Sequence, residues 1–231
     1  MFHPLDQPMD RGWVGRIDGD HVVQLAAQTL QSFFTGGGTA REHAVYPLAG
    51  VRLLAPVLHP PSVRVFDAQS TFWFANPAAI VPPGALIAGR VSSDTVSQGT
   101  LALLPRLAAV VGASEEIAGY TIASDWRRTD LAPPKDRDFG IGLGPVVVTH
   151  DELDPSGLEA IVRVESVGRP ASRFDGFDWP AARDLASVGT TLYPGDLLVG
   201  PALDAVQVRL GSPVELEVRE IGVLDASTGS A

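Results

Sequence analysis

No cysteine occurs anywhere in the 231 residues. A disulfide framework, a thiolate metal centre and a cysteine nucleophile are therefore excluded. Lysine is almost as scarce, since the seventeen basic side chains are sixteen arginines and one lysine, Lys135. No apolar run approaches the roughly eighteen residues of a spanning helix, so no membrane partner is expected. Positive charge is also in deficit. With 27 acidic residues, a net charge of -10 and a pI near 4.8, the chain lacks the basic face that a phosphate backbone requires, and nucleic acid is excluded as a partner. The opening residues MFHPLDQPMDRG place acids and prolines where a secretory leader needs a basic patch and an apolar stretch. A cytoplasmic location is the expectation.

What the chain does have is enough apolar surface for a core, with 45% apolar and 19% charged residues. Its length suits one domain with a small appendage. Glycine (24) and proline (19) are spread along the chain, which predicts many short strands joined by tight turns. Residues 12–25 read as a hairpin around Asp18-Gly19-Asp20, and residues 26–34 as a short helix ended by Gly36-Gly37-Gly38. A boundary near residue 50 separates a small N-terminal β-rich cap (1–50) from a larger domain (51–231). In the larger domain strands are predicted over 85–91, 117–122, 146–149, 156–164, 197–199, 206–210, 214–218 and 221–224, with a helix over 180–188. The apolar stretch 101–111 is interrupted by Pro105-Arg106. The expected fold class is mixed α+β, β-rich, with few helices. Read alone, Asp125 is a turn residue beside Ser124, and Lys135 is a loop lysine after Pro133-Pro134.

Four stretches, in order, resemble the fumarylacetoacetate hydrolase family. Gly119 to Trp126 followed by Asp130-Leu131 is similar to the family's GYTIANDxSxRDL segment, and 135–149 (KDRDFGIGLGPVVVT) to its KxFDxFxPLGPxxVT. Residues 191–198 (TLYPGDLL) with the strand 213–224 resemble LxPGDxIxTGTPxGV and a closing VEVEIEGIGTL, and Asn76-Pro77 to Gly84 resembles NPxxIxGPG. The resemblance implies the family's C-terminal fold, a mixed β-sandwich or roll. It also implies a homodimer and a site where carboxylates hold Mg²⁺ or Mn²⁺ against a 2-oxo acid or β-dicarbonyl substrate. Such an ion stabilises the enolate left when a C–C bond beside a carbonyl breaks.

Carried over residue by residue, the resemblance places the third metal ligand at Asp125 and the functional lysine and following aspartate at Lys135 and Asp138. The other two ligands, an E-x-E pair, fall on Leu104 and Arg106, and no Asp or Glu lies between Asp94 and Glu115. A hard cation needs oxygen ligands, which neither side chain supplies. No stoichiometric cofactor is therefore expected, with Mg or Mn bound only if the family site works. Glu215-Leu216-Glu217 is an E-x-E on a closing strand, expected to face solvent. The family's arginine is Thr129 here, with Arg127 and Arg128 beside it; its RDF reads Arg64-Val65-Phe66 with Asp67 displaced; and the substrate loop reads Val199-Gly200-Pro201-Ala202. Glu42-His43 stands where a lid pair could lie, but reads better as a solvated pair. Arg106, Arg128 and Gly200 are the candidate substrate-binding residues, since an arginine fork can hold a carboxylate. Three functions stay open: a pocket protein with impaired or altered chemistry, an active hydrolase of an acylpyruvate-like substrate, and a non-catalytic subunit in a homodimer or beside an intact paralogue.

Overall fold

The computed structural model describes residues 1–88 and 100–229. The two longest strands, Thr100–Val111 and Ile117–Arg128, form an antiparallel pair at the centre of an eight-stranded sheet. Next to Ile117–Arg128 lies Ile141–Thr149, and on the far side of Thr100–Val111 lie Leu197–Val199, Val63–Ala68 and Thr71–Phe74. A second, six-stranded sheet contains Leu158–Val164, Pro213–Val218, Gly222–Gly229 and Ala85–Ala88. The β-rich class read from composition is the class observed.

Strand alternation explains how the sheets stack. Leu101, Leu103, Leu107 and Ala109 join Ile122 and Trp126 in one buried cluster with Leu216, Val218 and Leu224 of the second sheet. The helix Trp179–Ser187 adds Trp179, Ala182 and Ala186 to it. Ala108, Val110 and Ala123 have the opposite parity and pack instead with Phe34, Val57, Val65 and Leu197. Successive side chains point to opposite faces of a strand, so each long strand is apolar on both sides. The positions that interrupt this pattern, Arg106 and Asp125, share the second face.

Several expectations change in extent. The strand 117–122 continues to Arg128, so Asp125 sits in the middle of a ladder opposite Leu104 and is not a turn residue. The 101–111 stretch is one unbroken strand despite Pro105. Its outer edge pairs with Val206–Arg209 at 100–103 and with Leu197–Val199 at 108–110, leaving a gap between. Pro105 falls in that gap, where its missing N–H leaves no ladder bond unmade. The segment after Leu197–Val199 bridges the gap, with Gly200 N donating to Leu107 O (2.8 Å) and Leu203 N to Pro105 O (2.9 Å).

The predicted helix over 26–34 starts later, at Leu30–Thr35, because Thr29 caps it reciprocally with Ser32. The strand expected over 85–91 is observed as Ala85–Ala88, and 89–91 lie outside the described residues. The predicted hairpin is present as Gly15–Asp18 and His21–Leu25, with Glu42–Pro47 as a third strand. From the first fifty residues Phe2–Pro4 also pairs with Val51–Leu53.

The Pro194-Gly195-Asp196 motif acquires a structural role. Buried Asp196 accepts from Ser62 Oγ (2.6 Å) and from the Tyr193 amide (2.8 Å), and pairs with buried Arg64 at 3.5 Å. It thereby fixes Leu197–Val199 in parallel register with Val63–Val65.

Trp126 is fully buried and its indole Nε1 donates to Ser124 Oγ at 3.1 Å. Trp126→Ala is expected to lower stability by about 3–5 kcal/mol, read as a lower urea midpoint.

Candidate functional site

The pairing of the two long strands sets Leu104 directly opposite Asp125 and Arg106 opposite Ala123. Residues directly opposite in a ladder share a face, so positions 104, 106 and 125 do converge. A carboxylate triad at these positions would surround an ion. Here they supply an isobutyl group, a guanidinium and one carboxylate.

Arg106 is 1% exposed and its guanidinium is held on every nitrogen. Nε donates to Asp125 Oδ2 at 3.1 Å, and Nη1 donates to the carbonyls of Phe66 (3.1 Å) and Gly200 (2.9 Å). Nη2 donates to Asp67 Oδ1 at 2.8 Å. The acceptors come from the neighbouring long strand, the Val63–Ala68 strand and the segment that bridges the gap beside Pro105. Asp125 is equally occupied: Arg127 Nε reaches Oδ1 at 3.0 Å and its Nη2 reaches Oδ2 at 2.8 Å.

A second tier surrounds this pair. Asp67 also accepts from Trp73 Nε1 at 3.0 Å. The guanidinium groups of Arg127 and Arg137 lie 5.1 and 5.2 Å from the Trp73 ring centre, within cation–π range. Asp136 receives Arg137 at 2.7 Å and lies 3.8 Å from Arg127. Burial pushes the Asp67 carboxyl up, but its hydrogen bond and charge attraction to Arg106, with the Trp73 bond, hold it below the usual carboxylate value. The Arg137 hydrogen bond likewise outweighs burial and lowers Asp136. Three arginines and three aspartates alternate through the network, so its formal charges balance without an added ion.

The remaining candidates are distributed around it. Lys135 is 73% exposed, and its ammonium pairs with Asp138 at 2.6 Å. That pair lies on the loop carrying Asp136 and Arg137, and Asn76 Nδ2 donates to the Asp138 carbonyl at 3.1 Å. The structure thus joins Lys135 to Asp138 and places both outside the Arg106–Asp125 contacts. Arg128 has the parity of Trp126, opposite to Asp125, and is ion-paired with Asp130. The Gly200 carbonyl is engaged by Arg106, and a Cβ there would lie 2.9 Å from the Trp179 ring. Glu215 and Glu217 sit on the outer face of their strand with Arg163, at 3.8 and 2.6 Å. Glu42 pairs with Arg16 at 2.9 Å, and both are exposed.

Sequence reasoning did not find the parts played by Trp73, Asp136 and Arg137, and treated Asp67 only as a displaced residue. No spacing pattern links a hairpin tip at 67–73 to a loop at 136–137; the fold alone brings them together. A cavity of about 860 Å³ lies elsewhere, between the helix Leu30–Thr35, Phe2, Ile117 and the 145–152 segment.

The fit of a divalent ion can be judged from the donors present. A hard cation takes several oxygen ligands. Of the three converging positions one supplies a carboxylate, and both its oxygens already accept guanidinium N–H bonds. Among the described residues no group of three or more His, Cys, Asp or Glu is placed to hold a metal. The residues present do not fit the ion.

Fold and ladder geometry define a class, and the comparisons agree. Residues 52–227 match the family model described as fumarylacetoacetate (FAA) hydrolase C-terminal, and the chain belongs to that family. An uncharacterised protein of Pyrococcus abyssi is 29% identical over 181 residues, covering 68% of this chain and 78% of that protein. The fold is also that of maleylpyruvate hydrolase from Sphingobium sp. SYK-6, with TM-score 0.80, 20% identity, and 96% and 98% of the two chains covered. That hydrolase has also been solved with manganese(II) and pyruvate, at TM-score 0.79, 19% identity and the same coverage. A 5-carboxymethyl-2-hydroxymuconate delta-isomerase from Mycobacterium smegmatis matches with TM-score 0.74 and 24% identity over 95% and 94% of the chains.

Two outcomes are expected. Asp125→Asn strips the buried countercharge from Arg106 and Arg127, and should cost about 3–5 kcal/mol by denaturant unfolding at neutral pH. The second concerns acid. Because the folded-state pKa of Asp67 is depressed, its contribution is complete above the ordinary carboxylate range and is lost as pH falls through the folded value. Asp67→Asn should therefore be less stable than the parent at pH 7, with the two unfolding midpoints drawing together below about pH 4.

Proposed function

We propose that this chain binds a small 2-oxo acid or β-dicarbonyl compound without performing the metal-assisted C–C hydrolysis or decarboxylation of its family. The observation that carries this reading is the occupation of Asp125. Both carboxylate oxygens are bonded to guanidinium groups, and Arg106 and Leu104 fill the positions from which the remaining ligands would project. With no electrophilic ion to chelate the two oxygens of a dicarbonyl, an enolate leaving group would lose its main stabilisation. Arg106 does not replace it as a carboxylate fork, because its nitrogens are already bonded to protein oxygens.

Ligand recognition then falls to the mouth of the network. Arg127 and Arg137 use Nε and Nη2 on Asp125 and Asp136, and they flank Trp73. Their Nη1 groups are donors of the kind that receives a carboxylate. The pyruvate held by the Sphingobium hydrolase supports the ligand class by analogy within the fold.

Calorimetric titration of the protein with Mn²⁺ up to millimolar concentration is expected to show no stoichiometric binding. Incubation with an acylpyruvate and Mn²⁺ should give no turnover above the uncatalysed rate. An ion coordinated by Asp125, or turnover near the ~10 s⁻¹ typical of enzymes, would overturn the reading.

A further inference from the structure

Arg106 is more than an obstacle to metal. Its guanidinium is surrounded by oxygen acceptors alone: the carboxylates of Asp125 and Asp67 and the carbonyls of Phe66 and Gly200, at 2.8 to 3.1 Å from its nitrogens. Two anionic and two neutral oxygens converging from separate segments are the donor chemistry of a hard-cation site. Three of these four oxygens belong to residues outside the 104–106–125 triad, so the cage is not the carboxylate triad with one member changed.

Each part of the cage is also held by contacts that do not involve the arginine. Asp125 is placed by the pairing of the two long strands. Phe66 and Asp67 are placed by the Val63–Ala68 strand and its hairpin with Thr71–Phe74. Gly200 is placed by the segment bonded to Leu107 and Pro105, and by its close packing on Trp179. Among these restraints only the four contacts themselves involve the guanidinium.

We infer that this cage is a cation-binding site in its own right, with the Arg106 side chain as its resident, covalently attached cation. The inference rests on the reading that no divalent ion occupies the centre, and it specifies what takes the ion's place. Removing the side chain leaves two carboxylates and two carbonyls converging on an empty, charge-demanding space. Such a site recruits a small cation from solution, the planar guanidinium ion first because it reproduces the lost donors.

The test is chemical rescue of Arg106→Ala. The thermal midpoint of the variant is measured with guanidinium chloride at about 1–20 mM, far below denaturing concentrations, against NaCl at equal ionic strength, beside the parent protein. A saturable rise of roughly 3 °C or more, confined to the variant and specific to guanidinium, is expected. No rise, or an equal rise with NaCl, overturns the inference. Should Arg106→Ala fail to fold, its refolding yield from urea is compared with and without guanidinium. Recovery that depends on the cation supports the site, whereas yields that are equal or uniformly nil overturn it. Arg106→Lys, which keeps a charge in the cage, should fold without added cation and show little or no rescue; rescue as large as that of the alanine variant counts against the site. The parent's Mn²⁺ titration keeps the two readings apart. Metal binding by the parent defeats the proposed function, while a metal-free parent whose alanine variant is not rescued defeats this inference alone.

Discussion

A guanidinium buried to the last few per cent has to find an acceptor for each N–H it can, because desolvating a charge is among the largest costs a fold can incur. Arg106 meets that requirement with oxygens from three different parts of the chain. The consequence is mechanical as well as electrostatic. The two central strands, the hairpin bearing Asp67 and Trp73, and the segment after Leu197–Val199 are tied to one planar group, so none can shift without stranding a charge. The gap beside Pro105 belongs to the same constraint, since the segment that fills it also offers the Gly200 carbonyl.

Around this centre the charges are arranged to cancel locally. Arg106 and Arg127 share Asp125; Arg137 and Arg127 face Asp136; Asp67 closes the ring through Arg106 and Trp73. In this chain the balance is made between arginine and aspartate side chains, so the network's formal charges cancel without an external cation. The comparison with relatives gives the family and the fold; what a site on that fold can do depends on its local donors.

Much of the scaffold was legible in residue pattern. The hairpin at Asp18–Gly19–Asp20, the late helix and the closing strands follow from turn residues and alternation, which are local signals. Asp125 shows where locality fails. Polar residues in sequence resemble a turn, but Ser124 and Asp125 lie in a strand, where Trp126 Nε1 and Arg127 two residues on and Arg106 on the neighbouring strand satisfy them. Pro105 failed as a breaker for a related reason, since it stands where the sheet has no adjacent strand on that edge. The helix boundary moved because a Thr29–Ser32 cap outweighs the apolar residues before it.

By itself the sequence determined the class of fold, the absence of cysteine and the net negative charge, and it set Leu104 and Arg106 where the family resemblance implies an acidic pair. Those are matters of composition and of order along the chain. Only the tertiary structure decided which partners Lys135 and Arg106 meet. Lys135, the single exception in an arginine-only chain, points to Asp138 at the surface, while Arg106 is enclosed by Asp125, Asp67 and two carbonyls. Partners that lie 19, 39, 40 and 94 residues away leave no periodic trace in a sequence. Their meeting is set by strand register and by the cost of burying charge.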